Sequence, residues 1–213
     1  MSGPVRVKIC GLTNREDAET AIALGADALG FNLFPDSKRH LVLDENAAWI
    51  AALPPFVTRV AVLVNAPLPE AARVVLHPSI NLVQLHGDED AAYCKQLAAL
   101  GRPFIKALRI RDASDMTKAA DFHTDNVLID AHVAGKYGGT GTSIGLALAR
   151  EIVERHPQLR IILAGGLTPE NAAEATRVVR PFAVDVASGV ESEPRKKDAK
   201  KMASFITAVR TMQ

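Results

Sequence analysis

The chain has 213 residues, enough for one large core and few for two, and its 48% hydrophobic and 23% charged residues belong to a globular protein. Its 25 basic and 24 acidic side chains leave a formal charge of +1 with no basic block, which argues against nucleic acid or an anionic membrane as partner. Two cysteines outside any C-x-x-C spacing, a start unlike a signal peptide and no apolar run near the ~20 residues of a membrane helix predict a cytoplasmic protein with free thiols.

The first element is a strand from Val5 that ends on Cys10 and turns at Gly11; a helix over Arg15–Leu24 follows, with Asn14 as its cap. Further strands begin near Ala28, Thr58, Leu82, Phe104, Asn126, Ile161 and Ala183. Helical stretches alternate with them: Asp44–Leu53, Pro69–Leu76, Glu89–Leu100, Ala113–Asp121, Ile144–Arg155, Pro169–Val179 and Lys197–Met212. Asp44, Asp88 and Thr168 are further candidate caps, the last with Pro169 at the first helical position. Eight strand–helix pairs predict a single α/β domain over residues 1–213, a closed (β/α)₈ TIM barrel with short loops, since that fold usually takes roughly 200 to 400 residues. An open dinucleotide-binding sheet is the rival, but no G-x-G-x-x-G follows the first strand.

Strand side chains alternate between the barrel interior and the helix layer, so Val5, Val7 and Ile9 should face helices while Arg6, Lys8 and Cys10 point inward. The same alternation sends Gln84, His86, Lys106, Asp130 and Asp185 inward, and buried charges must pair. A network of interior lysines and aspartates beneath the strand tips is expected.

Glycine turns follow the last three strands: Gly138-Gly139-Thr140-Gly141, Ala164-Gly165-Gly166-Leu167 and Ala187-Ser188-Gly189-Val190. Each alone is more simply a tight turn. Together, at the ends of strands six to eight, they fit a phosphate site, because glycine lets backbone N–H groups approach an oxyanion. The expected partner is therefore a small phosphorylated molecule bound by Gly139, Gly141, Gly165, Gly166, Ser188 and Gly189.

The segments Lys8-Ile9-Cys10-Gly11-Leu12, Gly30-Phe31 with Ser37-Lys38-Arg39, Val83-Gln84-Leu85-His86-Gly87, Leu128-Ile129-Asp130, the three glycine turns and Ser188-Gly189-Val190-Glu191 resemble, in order and spacing, those of the phosphoribosylanthranilate isomerases of tryptophan biosynthesis. Two departures stand out. Ile144-Gly145-Leu146 replaces a common Phe-Asp-Trp, which bears on the packing of the sixth loop, and Pro194-Arg195 replaces Pro-Gly, which bears on a turn.

The resemblance implies an Amadori rearrangement of N-(5-phosphoribosyl)anthranilate to 1-(2-carboxyphenylamino)-1-deoxyribulose 5-phosphate without cofactor, and no metal is expected because the histidines show no H-x-x-x-H or comparable metal spacing. It assigns Asp130 as the acid that opens the furanose, Cys10 as the base that removes the C2′ proton, Arg39 to the anthranilate carboxylate and Asp185 to the ribose hydroxyls. His86 at a strand tip could line the pocket, although a structural hydrogen bond explains it as simply. A thiol is mostly protonated at neutral pH, and Lys8 on the same strand face is expected to favour the thiolate. Read without the resemblance, Cys10 is a small buried hydrophobe, Asp130 a loop cap and Arg39 a solvated charge. The competing functions are another phosphate-binding barrel enzyme of amino-acid biosynthesis and a non-catalytic binder of phosphorylated metabolites; a monomer and a homodimer are equally compatible.

Overall fold

The structure is a computed structural model that describes residues 3–110, 112–130 and 143–211. Eight parallel strands close into one ring in chain order: β1 (Arg6–Cys10), β2 (Ala28–Asn32), β3 (Thr58–Leu63), β4 (Leu82–Leu85), β5 (Phe104–Arg109), β6 (Asn126–Asp130), β7 (Arg160–Ala164) and β8 (Ala183–Val186). β8 returns to β1 with Lys8 beside Asp185, so the predicted (β/α)₈ barrel is closed. Helices α1 (Arg15–Ala23), α2 (Leu43–Ala51), α3 (Leu68–Val75), α4 (Ala91–Ala98), α5 (Ser143–Arg155), α6 (Ala172–Val179) and α7 (Ala199–Arg210) follow the strands. A small hairpin of β9 (Glu191–Glu193) and β10 (Lys196–Lys197) precedes α7, so Lys197 lies in a strand, not at the expected helix start.

After β5 the chain forms a 3₁₀ segment, Ala113–Phe122, where an α-helix is expected. Short polar side chains divert its backbone: Asp112 caps it by accepting from Ser114 N, and Thr117 Oγ1 donates to Ser114 O at 2.7 Å. Asn14 caps α1 as predicted, accepting from Asp17 N at 2.8 Å. The other three caps differ. Asp44 lies inside the first turn of α2 and pairs with Arg73 at 3.0 Å; Asp90, not Asp88, caps α4 through Tyr93 N at 2.8 Å; and α6 starts only at Ala172, after a turn through Thr168 O.

Two apolar clusters record which way the strands face. A small one inside the ring joins Val60, Ile105, Ala107, Leu128, Ile162, Ala164 and Ala183; the large one joins Val7, Ile9, Phe104, Val127, Ile129 and Val184 to the helix layer. This bears out the inward facing of Lys8 and Asp185, but β5 has the opposite phase to the one expected. Ile105 and Ala107 are interior, so Lys106 lies on the outer face. Both faces of this strand are apolar, and the lone lysine does not mark the inner one. Lys106 Nζ is buried against Glu89 Oε2 at 2.6 Å and Gly87 O at 2.7 Å, with the Phe122 ring 5.7 Å away. Arg6, at the opposite mouth, is exposed, with its guanidinium 4.5 Å over the Phe182 ring. Lys106 and Arg6 thus drop out of the expected interior network, in which Lys8 pairs with Asp185.

Candidate active site

The strand tips of a closed parallel barrel share one rim, and Cys10 and Asp130 end β1 and β6 there. Cys10 is half-buried beside Gly30 of β2. A side chain at Gly30 would begin 2.6 Å from Cys10 Sγ and 3.1 Å from Lys8 Nζ, so its absence makes the space that the thiol and the ammonium fill. Lys8 Nζ donates to Asp185 Oδ1 at 2.8 Å, with both side chains buried. Burial disfavours the Lys8 charge, yet Asp185 and Cys10 outweigh it and hold the ammonium above the ordinary lysine pKa.

Burial pushes the Cys10 thiol up, Lys8 opposes it, and Asp185 again disfavours the thiolate; the balance lies above the ordinary thiol range. The expectation that Lys8 readies a thiolate before substrate arrives is therefore corrected. Lys8 favours the thiolate as expected, but burial outweighs it, so the thiol form is favoured in the free protein.

Arg39, in the loop after β2, crosses directly above Gly11. That glycine has φ +75°, and a Cβ on it would lie 2.3 Å from Arg39 Cδ, so only glycine serves there. The guanidinium makes a bidentate pair with Glu191, Nε to Oε1 at 2.7 Å and Nη2 to Oε2 at 2.6 Å. Lys197 Nζ donates to the same Oε1 at 2.9 Å. Burial disfavours the Glu191 carboxylate, but these two cations prevail and its pKa is lowered.

His86 follows β4, and Gln84 Nε2 lies 2.8 Å from its Nδ1. Burial lowers the His86 pKa, against the attraction of Asp185 and Asp130, so the ring is neutral at physiological pH. The loop that carries His86 is fixed by Glu89, whose Oε1 accepts from Asn65 N at 2.9 Å and whose Oε2 accepts from Gly87 N at 3.0 Å. A hollow of about 730 Å³ opens here, lined in part by His86, Lys106, Arg109, Phe122 and Asp130. A second hollow, of about 670 Å³, lies at the N-terminal ends of β5 to β7 and holds none of the predicted site residues.

Of the glycines expected to bind phosphate, Gly139 and Gly141 lie outside the described residues. Gly165 and Gly166 have φ +91° and +64°, a backbone path few other residues take. The loop is latched by Asn171, which accepts from Thr168 N at 2.8 Å and donates to Gly166 O at 3.0 Å. Gly189 packs against that same loop, and a short 3₁₀ turn, Ser188–Val190, completes the contact. The loops after β7 and β8 therefore form one surface.

The model of the N-(5'phosphoribosyl)anthranilate (PRA) isomerase family matches residues 7–208. The chain belongs to the N-(5'-phosphoribosyl)anthranilate isomerase family. Family members from Thiobacillus denitrificans and Trichlorobacter lovleyi are 49% and 48% identical to it, each match covering 95% of this chain and 97% and 96% of the relative. The crystal structure of phosphoribosylanthranilate isomerase from Thermotoga maritima superposes with a TM-score of 0.85 at 40% identity, over 97% of this chain and 99% of the other. A further phosphoribosylanthranilate isomerase, solved in complex with reduced 1-(o-carboxyphenylamino)-1-deoxyribulose 5-phosphate, has a TM-score of 0.82 at 38% identity, covering 97% and 99% of the two chains.

Within this phosphoribosylanthranilate isomerase fold, Cys10, Arg39 and Asp185 gather on the β8, β1 and β2 side of the mouth, and Asp130 stands at β6 beside Arg109, sharing a hollow with His86 of the β4 loop. Sequence reasoning gave no role to Glu191, Lys197, Glu89 or Arg109. Arg109 could have been found from the true phase of β5, since it follows Ala107 by two residues. Nothing local in the sequence ties Glu191 to an arginine 152 positions away.

Proposed function

We propose that the protein converts N-(5-phosphoribosyl)anthranilate to 1-(2-carboxyphenylamino)-1-deoxyribulose 5-phosphate by moving protons alone. Asp130 gives a proton to the furanose oxygen as the C1′–O bond breaks, and the nitrogen lone pair makes the protonated Schiff base. Cys10, as thiolate, removes the C2′ proton, and the electron pair of that bond forms the enolamine and neutralises the nitrogen. Tautomerisation, with a proton added at C1′, then gives the ketone. Lys8 lowers the Cys10 pKa against burial, and the cationic Schiff base adds a further positive charge that favours the thiolate, the thiol proton passing to solvent as it forms.

The observation that carries this reading is a thiol and a carboxyl ending β1 and β6 at one rim of a closed barrel. Strands about 4.8 Å apart and tilted about 36° close an eight-membered ring of roughly 7 to 8 Å radius, so strands three apart face each other across roughly 14 Å. Two short side chains reaching inward leave about the span of a sugar ring with a donor on each side. Gly165, Gly166, Ser188 and Gly189 take the 5-phosphate, with Gly139 and Gly141 of the sixth loop; Arg39 takes the anthranilate carboxylate; His86 and Asp185 line the ribose. The same reading has a cytoplasmic enzyme, monomeric or homodimeric, that uses no cofactor.

Freshly generated phosphoribosylanthranilate mixed with the purified protein tests the activity. Its fluorescence should decay at a rate proportional to protein concentration, well above the spontaneous decay. A rate equal to that of the buffer would overturn the proposal.

A further inference from the structure

Arg39, Glu191 and Lys197 form one hydrogen-bonded group in which exposure falls steeply inward, with side chains 24%, 5% and 0% accessible. Glu191 is held through its main chain as well, since Lys201 Nζ donates to Glu191 O at 2.7 Å. Lys197 is tied by its Nζ to Ala187 O at 3.0 Å and by its backbone N–H to Asp17 Oδ2 at 3.0 Å. The grip on Arg39 uses its Nε and Nη2; among the described residues no acceptor engages Nη1. The guanidinium is thus clamped by one edge and keeps N–H groups on the other.

The charges matter as much as the geometry. An Arg–Glu pair alone is neutral and has little attraction for an anion. Lys197 adds a second cation, so the group carries +1, and its only half-exposed member is Arg39. We propose that Glu191 and Lys197 are the positioning residues of Arg39: Glu191 fixes the plane of the guanidinium, and Lys197 offsets the Glu191 charge so that Arg39 meets the anthranilate carboxylate as a full cation. The inference rests on the isomerase reading of the same site and adds two residues to it.

The test compares calorimetric binding of two ligands, reduced 1-(2-carboxyphenylamino)-1-deoxyribulose 5-phosphate and the same compound without its carboxyl. Glu191→Gln and Lys197→Met should each weaken the carboxylated ligand at least tenfold and change the carboxyl-free one less than twofold. In turnover, KM should rise at least tenfold while kcat falls less than threefold. Because Glu191→Gln alone leaves a buried lysine unpaired, Glu191→Gln/Lys197→Met, which removes both buried charges, makes the same comparison in a variant freed of that cost. Equal weakening of both ligands, or a fall in kcat at constant KM, would overturn the positioning role. If the wild-type protein itself fails to prefer the carboxylated ligand, the carboxylate role of Arg39 falls and this inference with it. If only the variants fail to show the selective loss, the isomerase reading stands and this inference alone is wrong.

Discussion

Alanine at position 189 asks one carbon to enter space that the seventh loop already fills. Its Cβ would lie 1.9 Å from Leu167 O and 3.0 Å from Leu167 C, whereas real Cβ atoms stay beyond 3.0 Å, so the loops after β7 and β8 must part by at least about 1 Å. Gly189 is not among the residues with positive φ, so the cost comes from this contact and not from backbone strain. The loops are half-buried and can move apart without opening the core, which limits the stability loss to about 1 kcal/mol. A phosphate oxygen held by an N–H at about 2.9 Å loses that bond when the donor recedes by about 1 Å. A hydrogen bond to a charged group contributes about 1.5 to 3 kcal/mol. At 1.4 kcal/mol per factor of ten, Gly189→Ala should raise KM about 10- to 100-fold, with a far smaller change in the urea midpoint. Steady-state kinetics on phosphoribosylanthranilate and urea denaturation of the same preparation read both. An unchanged KM beside a clear stability loss would refute the phosphate role of this loop pair.

Because the Cys10 pKa is raised and the base acts as thiolate, kcat/KM should climb with pH through a midpoint above the ordinary thiol value of about 8.5. Iodoacetamide labelling of Cys10 in a Cys94→Ser background, which removes the buried thiol pushed up to about 11, should show the same midpoint; labelling complete at pH 7 would contradict it. Lys106→Met leaves Glu89 buried without its cation and should cost about 3 to 5 kcal/mol in urea unfolding, and a loss below about 1 kcal/mol would show that the pair is not structural. Arg195 stands at φ +79° where the resembled family has glycine, so Arg195→Gly should stabilise the protein by about 0.5 to 1 kcal/mol; a lower melting temperature would refute the strain.

Most of the eight strands were legible as short apolar, β-branched runs between helical stretches, β2 (ALGFN) being an exception without a β-branched residue, and alternation alone oriented β1, β6 and β8. It misled at β5, where Phe104, Ile105, Ala107 and Leu108 make both faces apolar and leave Lys106 without a directional signal. Capping chemistry was ambiguous where two acids stood within two residues, as with Asp88 and Asp90; the helix takes the one whose carboxylate reaches the N–H three residues on. The positions of Cys10 and Asp130 were readable because a strand end needs only local sequence to find it. The Arg39–Glu191–Lys197 group was not, since its members converge from β2 and the β9–β10 hairpin only when the ring closes. Lys8 does favour the Cys10 thiolate, but the burial that outweighs it appears only when the ring closes.

Single-turnover consumption of phosphoribosylanthranilate by the wild-type protein, Cys10→Ser and Asp130→Asn, run beside binding of the reduced product analogue, bears most directly on the pairing of the β1 thiol with the β6 carboxyl. Each variant should bind the analogue within about fivefold of wild type and turn over at least about 100-fold more slowly, the general acid–base contribution of a positioned side chain. A variant that binds normally and turns over within tenfold of wild type would contradict the role given to that residue.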